Sequence, residues 1–215
     1  MRQIIIGDKK SYDDWGLFLQ HGWVLEGAQP KSRYIDVPAS DGVLDLTETL
    51  AGQPRYENRT FQCGLILPPP REDWEDKRRE ISNYCNGRRM KIYTPDDLDR
   101  YLMGRISVGS LSLSERGMGV IHIMADCDPF LYKRNITEIN LEVDGTTDIV
   151  LVNARRNVIP EITTGGSVEI TINGARRNVG KGTYLFADFI LREGKNQATF
   201  RGHTGVKITY QEADL

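Results

Sequence analysis

Three histidines, three cysteines and two tight acidic clusters are the residues whose types could carry chemistry in this chain. A hydrolase or transferase requires a nucleophile beside a base, paired carboxylates in a shaped setting, or a metal cluster. His21, His122 and His203 are scattered. His122 stands between apolar residues of a strand pattern and His203 in a turn, so each reads as a structural histidine satisfied by its neighbours. Asp96, Asp97 and Asp99 have the density of a calcium loop but lack its glycine and closing glutamate, which leaves a solvated turn. Asp13-Asp14 reads as a turn and capping pair. Cys63, Cys85 and Cys127 lie far apart, form no CxxC and have no adjacent histidine, so buried free thiols are expected rather than disulfides or zinc. Neither GxxxxGK[ST] nor GxGxxG occurs, which removes the usual phosphate cradles. No catalytic, metal or cofactor-binding residue is assigned, and no cofactor is expected.

Composition narrows the classes further. The formal net charge is -2 over 215 residues, spread evenly between the two halves, so neither half is a basic surface for nucleic acid. Arg88-Arg89-Met90-Lys91, Arg155-Arg156 and Arg176-Arg177 read as turn and helix-end charges. The apolar run at Ile4 to Ile6 is too short for a signal peptide, and no segment approaches the about 18 apolar residues of a membrane span. The expectation is a soluble chain made in a reducing cytoplasm, with no membrane insertion.

The elements that must position any site come from periodicity and punctuation. Helix signals agree with one another only from Pro68 to Gly87. Pro68-Pro69-Pro70 fix an extended approach, Glu72, Asp73, Glu75 and Asp76 crowd the first turn, and Gly87 is placed to end the helix. Trp74, Ile81, Tyr84 and Cys85 make one narrow apolar stripe on an otherwise charged helix, the face that would cover a sheet. Everything else reads as strand and turn. Strands are expected at Ile4 to Ile6, Tyr34 to Val37, Arg59 to Leu67, Met90 to Tyr93, Tyr101 to Val108 and Gly119 to Ala125, the last stopped by Asp126-Cys127-Asp128-Pro129. His21-Gly22 suggests a bulge or bend, and Asp41-Gly42 a turn with Val43 to Thr47 as its return arm. From Gly42 to Tyr56 few large apolar residues occur beyond Leu44, Leu46 and Leu50, the look of a hairpin leaving the body or of a surface loop.

After Ile136 the texture changes to short strands: Ile139 to Val143, Ile149 to Val152, Val158 to Thr163, Val168 to Asn173, Thr183 to Leu191, Ala198 to Arg201 and Val206 to Gln211. Asp144-Gly145, Asn173-Gly174 and Gly202-His203-Thr204-Gly205 read as breaks between them. This spacing predicts an all-β sandwich over residues 135–215 behind a first domain over 1–134. A carbohydrate-binding module is the rival function, since sugar sites offer an exposed ring beside polar groups. Trp15, Trp23 and Trp74 all precede the boundary, however, and Tyr184, Phe186, Phe189, Phe200 and Tyr210 fall in strand patterns.

Laid out in this way the chain resembles the distal tail protein family of long, non-contractile-tailed phages. The resemblance rests on Tyr12-Asp13-Asp14-Trp15-Gly16-Leu17, Val37-Pro38, Asp41-Gly42-Val43-Leu44-Asp45-Leu46-Thr47-Glu48 and Tyr56-Glu57-Asn58-Arg59. It continues through Trp74, Asn86-Gly87-Arg88, Tyr101-Leu102-Met103-Gly104-Arg105-Ile106 and Asp126-Cys127-Asp128-Pro129-Phe130. In the second half it rests on Asn153, Pro160-Glu161-Ile162, Leu191-Arg192-Glu193-Gly194-Lys195-Asn196 and Tyr210-Gln211-Glu212. It implies a mainly β fold: an N-terminal β-sheet or split-barrel domain with one α-helix, then a galectin-like β-sandwich. It also implies a virion structural protein, assembled in the host cytoplasm, that forms a homo-hexameric hub at the tail tip. The first domain would build the ring and the second would dock other parts. The implied partners are the major tail tube protein, a tail-tip protein of the tail-associated lysin kind and a receptor-binding protein. The inter-subunit hairpin would comprise Val37, Pro38, Asp41, Gly42, Leu44, Asp45, Leu46 and Tyr56.

Overall fold

Alternation of apolar and polar residues runs through most of the chain, and the fold that results is mainly β with curled sheets. The structure, a computed structural model, describes residues 2–49, 52–114 and 116–215. They fall into two compact units, Met1–Leu131 and Tyr132–Leu215. Leu50, grouped above with Leu44 and Leu46, lies outside the described residues, as do Met1, Ala51 and Glu115.

The first unit contains the short strands β1 (Ile5–Ile6), β2 (Lys9–Lys10), β3 (Phe18–Leu19) and β4 (Val24–Leu25), and a separate pair, β5 (Tyr34–Asp36) and β6 (Val43–Asp45). Then come β7 (Arg59–Leu67), β8 (Arg89–Thr94), β9 (Asp97–Leu113) and β10 (Gly119–Lys133). The main sheet has the order β2-β1-β8-β9-β10-β7-β3, with β4 also bonded to β7. Strands β3 and β4 share one edge of β7, and the chain turns between them at Gly22, φ 92°. Across the β7/β10 ladder Phe61 faces Ala125, Cys63 faces Ile123 and Leu65 faces Ile121, all buried. Burial pushes the thiols of Cys63 and Cys127 up to about 12 and that of Cys85 up to about 11. All three are free, and they behave as small apolar groups.

One helix closes the apolar side of this sheet. A single 3-10 turn at Arg71–Asp73 leads into α1 (Trp74–Cys85), with Pro70 extended at φ -83°. The Trp74 indole N–H donates to the Pro68 carbonyl at 2.8 Å. Trp74, Ile81 and Cys85 are buried, and Tyr84 is half-buried with its hydroxyl bonded to the Asp8 carboxylate. The acids of the first turn pair one turn on, Glu75 with Arg78 at 3.0 Å and Asp76 with Arg79 at 2.8 Å. Gly87 takes φ 76° just past the helix, but its amide donates to the Ile106 carbonyl of β9 at 2.8 Å, so it joins helix end to sheet. Gly119, at the start of β10, lies under the Trp74 ring, and a Cβ there would sit 2.8 Å from it.

Two strands outrun their expected ends. Strand β9 starts at Asp97 and runs to Leu113, and β10 continues through Asp126-Cys127-Asp128-Pro129 to Lys133. The β7 ladder ends at Cys127, so the N–H that Pro129 lacks costs no bond on that side.

The second unit is organised by a ribbon of β11 (Thr137–Asn153) and β16 (Gly194–Tyr210), paired antiparallel over their full length. Between them lie β12 (Glu161–Thr164), β13 (Val168–Ile172), β14 (Ala175–Val179) and β15 (Gly182–Leu185). On the edge of β16 away from β11, β13 pairs with Ala198 to Gly202 and β12 with Val206 to Thr209. The two groups share one core, with Ile162, Ile170, Ile172, Phe200 and Ile208 fully buried, so the ribbon is bent over itself into a sandwich.

The expected breaks at Asp144-Gly145 and Gly202 to Gly205 do not occur. These residues face one another across the ribbon, Gly145 opposite Gly202 and Asp144 opposite His203, so both strands bend together while pairing continues. Inward parity holds on both sides of the bend, with Ala198 and Phe200 before it and Val206 and Ile208 after it. Asn173-Gly174 does turn, at φ 48° and 89°, and delivers β14, a strand absent from the sequence reading. Val158 makes only an isolated bridge to Leu191.

Candidate functional site

The described residues between Gln29 and Glu57 form an exposed arm. At its root Lys31 N–H donates to the Arg55 carbonyl at 2.7 Å and Glu57 N–H to the Gln29 carbonyl at 2.8 Å, flanking the bridge between Pro30 and Tyr56. The Tyr56 ring packs edge-on against Phe130, 5.9 Å between centroids. Farther out, Leu46 N–H donates to the Arg33 carbonyl at 2.8 Å, and Tyr34, Ile35 and Asp36 pair with Asp45, Leu44 and Val43. The tip turns through Ala39 at φ 65° and Gly42 at φ 75°.

Nothing in the described chain covers this pair of strands. Tyr34 is 58% exposed, Ile35 42%, Val37 40%, Val43 59% and Leu44 52%. The pleat puts Tyr34 and Val43 on one side, beside Asp36 and Asp45, and Ile35 and Leu44 on the other, so both sides carry apolar residues. An isolated two-stranded hairpin is marginal in water, whereas fully burying one Val, Leu or Ile side chain is worth about 1.5–3 kcal/mol. An arm of this composition gains stability when another surface covers it. It is also acidic: from Asp36 to Glu48 it carries Asp36, Asp41, Asp45 and Glu48 and no Lys, Arg or His. The Asp45 carboxyl is held below its ordinary value by hydrogen bonds from Thr47, so it is a stable anion.

Of the residues named for the inter-subunit hairpin, Val37, Pro38, Asp41, Gly42, Leu44 and Asp45 lie on the exposed part of the arm, Leu46 is half-buried and Tyr56 belongs to the root. Tyr34, Ile35 and Val43 complete the apolar surface and were not among them. The runs Tyr34-Ile35-Asp36-Val37 and Val43-Leu44-Asp45-Leu46, apolar residues broken by a single acid, are the signal that identifies them.

The chemically competent residues are absorbed locally. His122 Nε2 lies 2.9 Å from Ser112 Oγ, the spacing of a base and its nucleophile, but on an open sheet face. Among the described residues no carboxylate is hydrogen-bonded to the ring, so the group that orients the base in acyl transfer is missing there. His203 Nδ1 pairs with Asp144 Oδ1 across the ribbon at 2.7 Å. His21 lines a surface hollow with Trp23 beside the Arg2–Asp96 ion pair of 2.5 Å. Asp13 accepts from Gln3 and Lys10, each at 3.0 Å, and those bonds hold its carboxyl below the usual range. Asp97 Oδ1 accepts the amides of Asp99 and Arg100 at 3.1 Å, a capped turn. Among the described residues no three His, Cys, Asp or Glu side chains gather as metal ligands. In the second unit an open hollow is lined by Ser167, Glu169, Asn178 and Arg201 with Val168, Val179 and Gly180, without an aromatic ring.

No family model and no curated protein matches the chain. Among solved structures it is similar to the crystal structure of the SPP1 Dit (gp 19.1) protein, described as a paradigm of the hub adsorption apparatus in phages that infect Gram-positive bacteria. That likeness has a TM-score of 0.71 and covers 100% of both chains at 13% identity. At that identity the shared property is the fold, which extends over both units.

Proposed function

We propose that this chain is a structural subunit of a phage tail tip, forming a ring that joins the tail tube to the adsorption apparatus. The observation that carries the reading is the arm: an acidic hairpin with apolar residues on both faces and no cover of its own. A heterologous contact, in which the arm of each copy lies on the next, gives a ring when its rotation closes, and every arm is then covered once. The fold shared with the SPP1 hub adsorption protein supports a place in a tail's adsorption apparatus, and six copies are what the family resemblance implies. The first unit builds the ring, and the second, whose hollow lacks a ring for stacking on sugar, serves as the docking point for tail-tip or receptor-binding proteins.

Size-exclusion chromatography with light scattering tests the reading. A mass six times that of the protomer is expected, from an equilibrium that rises with concentration. A chain that stays a single protomer at high concentration overturns it. Specific binding of a glycan by the isolated second unit would replace docking with sugar recognition.

A further inference from the structure

Arg59 opens β7, two residues beyond the last residue of the arm, and points to the core side of the sheet with Phe61 and Cys63. Only 6% of the residue is exposed, and its Nε and Nη2 atoms are buried without a hydrogen-bond partner. Guanidinium groups are almost always paired when buried, because removing the charge from water is costly unless a carboxylate or several acceptors replace the solvent. Its cross-strand neighbour is Cys127, which burial keeps protonated and which supplies no counter-charge. The carboxylates that bond its chain neighbours do not bond those atoms: Glu26 accepts the Thr60 amide at 3.2 Å and Asp126 accepts from Asn58 at 3.2 Å. Desolvation lowers the tendency of Arg59 to hold its proton, the mark of a cation kept from water without compensation.

The same chain carries the complementary excess. Asp36, Asp41 and Asp45 stand on the exposed arm without a cationic partner in the described residues. Their own Arg59 is bonded to none of them. Covering the arm's apolar faces brings these carboxylates against a neighbouring surface, where each would need a cation.

We infer that on assembly the Arg59 side chain turns outward from its unpaired burial and receives a carboxylate of the arm of a second copy, so that the tip of one arm docks at the root of the next. This rests on the ring reading above and names the residue pair that closes each contact. A planar guanidinium offers a carboxylate two parallel hydrogen bonds, and its fixed fork also sets the angle of approach. The protomer therefore carries an uncompensated buried charge that assembly relieves.

The test uses the full chain and measures the concentration at half-assembly by light scattering, together with the melting temperature of the dilute protomer. Arg59→Met removes the charge and keeps the length. It is expected to leave the melting temperature unchanged or higher, while raising the half-assembly concentration at least about tenfold. Asp36→Asn, Asp41→Asn and Asp45→Asn change only exposed positions and keep the fold. One of them is expected to weaken assembly by a similar factor in the parent chain and to have no further effect in the Arg59→Met background. Rings that form as readily with Arg59→Met, or three arm variants that all assemble like the parent, overturn the pairing while leaving the ring intact. Should Arg59→Met fail to fold, the three arm variants decide alone. A parent chain that never assembles overturns both readings.

Discussion

Most ionised side chains here act within a few residues or across one strand pair, and Glu212 shows what that is worth. Burial pushes its carboxyl up, but hydrogen bonds from Lys133 Nζ and Thr137 Oγ1, both at 2.7 Å, outweigh that and hold it below its ordinary value of 4.5. A depressed carboxyl stabilises the fold above its unfolded value and loses that contribution as pH falls through the folded one. Glu212→Gln is therefore expected to cost about 1–3 kcal/mol at neutral pH and much less in acid. Thermal unfolding of both proteins from pH 7 to pH 2.5 measures this; parallel curves would show that the carboxyl does not titrate with folding. The absorbed roles of Asp13, Asp97 and the cysteines were legible in the sequence, because turn and cap chemistry is local and apolar context is visible. Arg59 was not. An arginine at the head of an apolar run looks the same whether its fork reaches water or is turned toward the core, and only the strand's parity against Phe61 and Cys63 decides.

At the scale of elements the helix was readable and the long strands were not, for one reason. Prolines, a charged first turn and a spaced apolar stripe all lie within the twenty residues they describe, whereas the continuity of β11 and β16 depends on a partner some sixty residues away. Glycine signals a turn when read alone, but opposite another glycine it allows a paired bend. The two central glycines also differ in kind. A Cβ on Gly202 would meet the Ser167 carbonyl at 2.8 Å, a backbone atom that cannot step aside cheaply, while Gly145 has open space but a positive φ of 80°. Gly202→Ala is accordingly expected to destabilise the second unit by about 1–3 kcal/mol. Gly145→Ala should cost about 1 kcal/mol, through backbone strain alone. Urea midpoints compare them, and an equal loss at both sites would mean that close packing against β13 is not what Gly202 serves.

For the whole molecule, the proposed ring makes the arm the element that would separate folding from assembly. Neither apolar core contains any of its exposed residues, so each unit can fold without it. Deleting residues 39–52 is expected to preserve cooperative unfolding of both units and to abolish the assembled species. Circular dichroism with light scattering distinguishes the outcomes, and a variant that still assembles would remove the arm from the contact. The hairpin turn itself was legible from Asp41-Gly42, but its exposure on both faces was not, since a sequence shows alternation without showing what lies above and below a strand.

The placement of β16 has a consequence for how the molecule opens over time. Its amides and carbonyls are engaged by β11 on one edge and by β13 and then β12 on the other, so no partial fraying frees its central residues. Their deuterium uptake should wait for complete unfolding of the second unit and report its full stability. The β5–β6 pair of the arm, bonded strand to strand, should exchange through small local openings in the free protomer and slow sharply once another copy lies across it.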